Sequence, residues 1–108
     1  MKIIKNRPFK ATVKVVYPGD ADGAENSFTG HFVALDMEAM KELKVGTVEA
    51  EDAYMDQMFK GWDGLVDSTD APFEVTPENR AALLSDLAVR RAVMDTYARE
   101  MAGLRRGN

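Results

Sequence analysis

The sequence predicts an α+β fold, mainly α, in which an N-terminal antiparallel β-hairpin is followed by about four helices. Three observations predict it. Apolar and polar residues alternate from Phe9 to Tyr17 and again from Asn26 to Leu35, a turn-rich segment separates those stretches, and from Asp36 onward the apolar spacing changes to three and four residues. At 108 residues the chain is read as a single domain, with a hairpin over 9–35, a helical region over 36–104 and a tail over 105–108.

In the first strand Phe9, Ala11, Val13, Val15 and Tyr17 share one face, and Lys10, Thr12 and Lys14 the other. Pro18-Gly19-Asp20-Ala21-Asp22-Gly23-Ala24-Glu25 is built from the residues turns require. In the second strand Phe28, Gly30, Phe32 and Ala34 alternate with Thr29, His31, Val33 and Leu35. A two-stranded hairpin is marginal in water, so one face must be covered by later helices or by another subunit.

Asp36 suits the N-cap of a short helix to about Lys44, with Met37, Met40 and Leu43 on one stripe and Gly46 as its stop. A second helix begins near Thr47, its apolar face formed by Tyr54, Met55, Met58, Phe59 and Trp62. Trp62 stands between Gly61 and Gly64, so this helix is expected to enter a helix-loop-helix joint pinned by the buried indole. Thr76-Pro77 then supplies an N-cap and a proline at the first helical position. The third helix carries Ala82, Leu83, Leu84 and Leu87. After a break around Asp86 to Ala88 a fourth runs from about Val89 to Leu104, burying Val89, Val93, Tyr97 and Met101.

Composition narrows the function. Hydrophobic residues make up 45% and charged residues 30%, a globular balance, and no apolar run approaches the length of a membrane span. Without cysteine there is no disulfide framework, and without a secretory h-region the chain is expected to be cytoplasmic. The formal net charge of −4 argues against a broad phosphate-binding surface. Acidic residues crowd the middle, whereas Arg90, Arg91, Arg99, Arg105 and Arg106 make the C-terminal segment basic, as expected of cations that complement a helix dipole late in the helix.

Residue types that support chemistry are scarce. The one histidine, His31, lies in a predicted strand, on its exposed face, and no cysteine stands beside it. Zinc would need cysteines or paired histidines. Neither glycine pair fits a phosphate-binding loop, and Asp20-Ala21-Asp22-Gly23 lacks the later ligands of a calcium loop. Asp63, Asp67 and Asp70 read as turn and capping residues. No enzyme activity, cofactor or metal is expected. Seven methionines, six of them internal, either fill an irregular core or form surfaces that accept varied partner helices. Met37, Met40, Tyr54, Met55, Met58 and Met94 are the candidate partner-binding residues. Trp62 is expected to anchor the core with its N–H on a backbone carbonyl.

In its order of elements the chain resembles the tail assembly chaperones of long-tailed, siphovirus-type bacteriophages and prophages. Phe28-x-x-x-Phe32-x-Ala34-Leu35 ends the hairpin, and an acidic helix leads to Gly61-Trp62-Asp63-Gly64-Leu65-Val66-Asp67. Pro72-Phe73-x-x-Thr76-Pro77-Glu78-Asn79, Leu83-Leu84 and a helix from Val89-Arg90 follow. Within the loop Ser68-Thr69-Asp70-Ala71 and Glu74-Val75 depart from that pattern. The resemblance covers residues 9 to 101. It implies a non-catalytic chaperone that binds the tape measure protein and the major tail (tube) protein, self-associates, and is absent from the mature virion, with Gly61, Trp62, Asp63, Gly64, Phe73, Thr76, Pro77, Glu78 and Asn79 as its structural motif. No nucleic acid or membrane partner is expected. The rival readings are a head-tail connector or other small virion protein, and a small DNA-binding regulator with the last two helices as a helix-turn-helix.

Overall fold

The computed structural model describes residues 1–21, 26–42 and 46–105. Strand β1 (Arg7–Lys14) pairs antiparallel with β2 (Ser27–Ala34), matching Arg7 to Ala34 at one end and Lys14 to Ser27 at the other. Both faces follow the sequence alternation: Val13, Val15, Phe28 and Phe32 are buried, while Lys10, Thr12 and Lys14 are exposed. The turn between them keeps its expected chemistry. The Asp20 carboxylate accepts from the Tyr17 N–H at 2.9 Å and from Asn26 Nδ2 at 3.1 Å, and Gly19 takes a φ of 86°. Asp22, Gly23 and the rest of that loop lie outside the described residues.

Helix α1 (Met37–Glu42) is capped by Asp36, whose Oδ1 accepts from the Ala39 N–H at 2.8 Å. Its expected extension through Leu43 and Lys44 lies outside the described residues. Helix α2 (Val48–Met58) starts from the Thr47 cap as expected but stops four residues before Trp62. The chain instead enters a third strand, β3 (Phe59–Asp63), which pairs antiparallel with β2. The sheet order is β1-β2-β3, so the hairpin is extended by a third strand, and one of its faces is covered by the chain's own helices as expected. The expected helix-loop-helix joint is therefore a strand-loop-helix joint.

A β-bulge between His31 and Phe32 explains the difference. Phe32 pairs with Phe59 and Gly30 with Trp62, so both aromatics fall on the inner face although they are three residues apart. Their rings stack at 6.1 Å.

Helix α3 (Pro77–Ser85) begins at Thr76, whose Oγ1 accepts from the Asn79 N–H at 3.0 Å. The break before α4 (Leu87–Arg105) is the single residue Asp86, shorter than expected, and its Oδ1 accepts from the N–H groups of Ala88 and Val89. Leu87 thus opens α4 rather than ending α3.

The helices cover one face of the sheet. At the centre Tyr97 of α4 lies against Phe9, Phe32 and Tyr54, with its hydroxyl donating to the Val33 carbonyl and accepting from the Leu35 N–H, each at 2.9 Å. The opposite face carries Lys10, Thr12, Thr29, His31 and Asp63, and among the described residues no helix lies over it. On β1 the Val15 N–H bonds Asn26, so the even residues Pro8, Lys10, Thr12 and Lys14 turn their main-chain groups to the open edge. Pro8 has no N–H to leave unpaired, and the two lysines discourage random strand addition.

Candidate interaction surface

The motif around Trp62 assembles as a clasp. Beyond β3, Gly64 takes a φ of 85°, where a side chain would be strained, and turns the chain into a loop that doubles back through a Val66–Pro72 bridge. Phe73 returns beneath Trp62. Its N–H bonds the Leu65 carbonyl at 2.9 Å, its own carbonyl accepts from the indole Nε1 at 2.8 Å, and the two rings stack at 5.8 Å. Asp67 ties the loop tip by accepting from the Thr69 N–H, the Thr69 hydroxyl and the Ala71 N–H, and these donors, the hydroxyl first, hold its carboxyl below the usual range. Asn79 closes the clasp by donating Nδ2 to the Glu74 carbonyl at 2.8 Å. Trp62, Asp67, Thr76, Pro77 and Asn79 therefore take the structural roles expected of them, while Glu78 lies exposed in the first turn of α3.

Asp63 does not. It ends β3 on the uncovered face of the sheet, where the His31 ring Nε2 lies 2.6 Å from its Oδ2 and Lys10 Nζ 3.7 Å away. The hydrogen bond from His31, joined by the charges of His31 and Lys10, lowers the Asp63 carboxyl. His31 sits on the outer face, as its strand position predicted. The shallow hollow beside the pair is lined by Trp62, Gly64, Leu65, Pro72, Phe73, Glu74 and Val75. Nothing in the sequence connects two residues 32 apart.

Two arginines are spent inside the fold. Arg80 Nη2 donates to the Met55 carbonyl at 2.8 Å, its guanidinium lies 5.3 Å from the centre of the Phe59 ring and Asp56 is 3.6 Å away; burial pushes its pKa down. Arg90 donates to the Leu84 carbonyl, to Glu51 at 3.0 Å and to Asp52 at 2.6 Å, and the Asp52 bond raises its pKa first of all. Arg90 and Arg91 stand near the start of α4, so they do not complement the end of its dipole as expected; Arg90 instead staples α2 to the α3–α4 corner. Arg106 lies outside the described residues.

The methionines divide. Met55 and Met58 are fully enclosed by the chain's own core and cannot border a partner groove in this fold, which corrects that expectation. Met37 is 75% exposed. Met40 belongs to α1, and its side chain is outside the described residues. Tyr54 and Met94 are half-buried and line a hollow of ≈ 420 Å³ with Thr47, Val48, Ala50 and Glu51. A larger groove of ≈ 670 Å³ opens where the loop after β3 meets the α3–α4 corner; Val15, Phe28, Leu65, Phe73, Leu83 and Val89 form its apolar walls. The sequence pattern did not point to it, because its residues come from five separate segments.

A scan against models of known protein families, a search of curated proteins and a search of solved structures each found no match to this chain.

Proposed function

We propose that the protein is a non-catalytic tail assembly chaperone of a long-tailed phage or prophage. It acts in the host cytoplasm, holds the tape measure protein, brings tail-tube protein to it and leaves before the virion is complete. The observation that supports this reading most is the hollow between α2 and α4. Val48 stands 68% exposed at its rim, beside the half-buried pair Tyr54 and Met94. An amphipathic helix can lay an apolar ridge into such a hollow, and a flexible thioether adapts to ridges of different shape. Contacts of this size are individually weak and add through avidity along an extended partner.

The test is co-purification with the tape measure protein of the same phage after co-expression. Val48 is the first residue of α2, where a carboxylate favours the helix, so Val48→Asp leaves folding intact while placing a charge in the apolar contact. Loss of co-purification with an unchanged circular dichroism spectrum supports the reading; capture equal to wild type removes it.

A further inference from the structure

The groove of ≈ 670 Å³ carries charge of one sign. Its charged lining residues are Asp67 and Asp86, and among the described residues no lysine or arginine lines it. At the opposite end of β1 the chain presents the complement. Residues 1–6 lie outside any helix or strand, with Ile3 91% and Ile4 51% exposed between Lys2 and Lys5, and the first acidic residue of the sequence is Asp20.

We propose that this N-terminal arm docks in the groove of a second copy of the chain. Ile3 and Ile4 enter the apolar walls, and Lys2 and Lys5 face Asp67 and Asp86. The arm cannot serve its own groove. It leaves the sheet at the Arg7–Ala34 end, where Lys5 lies 3.8 Å from Asp36, whereas the groove takes in Val15 and Ser27 at the other end. Eight strand residues separate the two by about 24 Å, more than the roughly 20 Å that six extended residues can reach. The contact is therefore heterologous, and a joined pair keeps one free arm and one free groove for further neighbours, which yields head-to-tail chains or rings. It names a contact for the self-association that a chaperone following an extended partner needs, but it uses none of the residues of the Tyr54–Met94 hollow.

Sedimentation velocity from micromolar to millimolar protein tests it with two folded variants. Ile3→Asp/Ile4→Asp disables only the arm; Val66→Arg puts bulk and positive charge at the groove rim, at a residue 59% exposed. The wild type is expected to assemble with rising concentration, less so in high salt. Each variant alone stays monomeric, its self-association weakened at least roughly tenfold. An equimolar mixture forms a dimer and stops there, because the intact arm of one variant meets the intact groove of the other. A wild type that stays monomeric, a variant that assembles like wild type, or a mixture that stays monomeric overturns the proposal, and none of these results touches the Val48 test.

Discussion

The indole of Trp62 donates a 2.8 Å hydrogen bond to the carbonyl of Phe73 and stacks on its ring at 5.8 Å. One side chain thereby closes the loop that follows β3 and joins it to the sheet. Trp62→Phe keeps an aromatic ring but strips the carbonyl of its donor and leaves a small void. A loss of about 2 to 4 kcal/mol is expected, combining an unsatisfied acceptor with incomplete filling. Urea unfolding followed by far-ultraviolet circular dichroism measures it.

Gly30 faces Trp62 across the sheet with no room for a methyl group. A Cβ there would lie 2.6 Å from the Phe32 ring and 3.0 Å from Val13 Cγ2, both in the closed core. Gly30→Ala is expected to destabilise by about 1 to 3 kcal/mol through overpacking, measured as a fall in the urea midpoint without a change in slope.

Asp67 links stability to pH. Its folded carboxyl lies below the unfolded value of 3.8, so its contribution is complete above that value and disappears as the pH falls through the lower folded value. Thermal melts of the wild type and Asp67→Asn between neutral and strongly acidic pH read this directly. The variant is expected to melt lower at neutral pH, and the gap to close in acid.

Arg90 serves three acceptors from two helices at once, Glu51 and Asp52 of α2 and the Leu84 carbonyl of α3. Arg90→Ala is expected to cost about 1 to 2 kcal/mol, discounted because Glu51 and Asp52 are partly exposed. Arg90→Lys recovers only part, since an ammonium group cannot span the same fork of acceptors. Chemical denaturation of the three proteins checks the order.

Much of the architecture was legible where local chemistry decides it. Strand faces from Phe9 to Val15 and Phe28 to Phe32 follow simple alternation, and Asp36, Thr47 and Thr76 bond the N–H groups that their positions predict. Strand β3 was not legible. The bulge at Lys60 puts Phe59 and Trp62 on one face at a spacing of three, the spacing of a helix, and no glycine or proline marks the change from helix to strand at Met58-Phe59. Periodicity cannot tell these cases apart; only pairing with β2 does. The methionines show the same limit, since Met55 and Met58 share a helical stripe that the missed strand helps to bury. Of the candidate contact residues, Tyr54 and Met94 remain at a surface hollow because they lie at the margin of that stripe. The His31–Asp63 pair and the large groove depend on contacts between distant segments and left no local signature.

The proposed function is tested most directly by quantitative mass spectrometry of assembling cells and finished particles of a long-tailed phage that carries this sequence. A chaperone that grips polypeptides transiently is expected in complex with the tape measure protein during assembly and absent from purified virions. A fixed number of copies per finished particle would contradict the account.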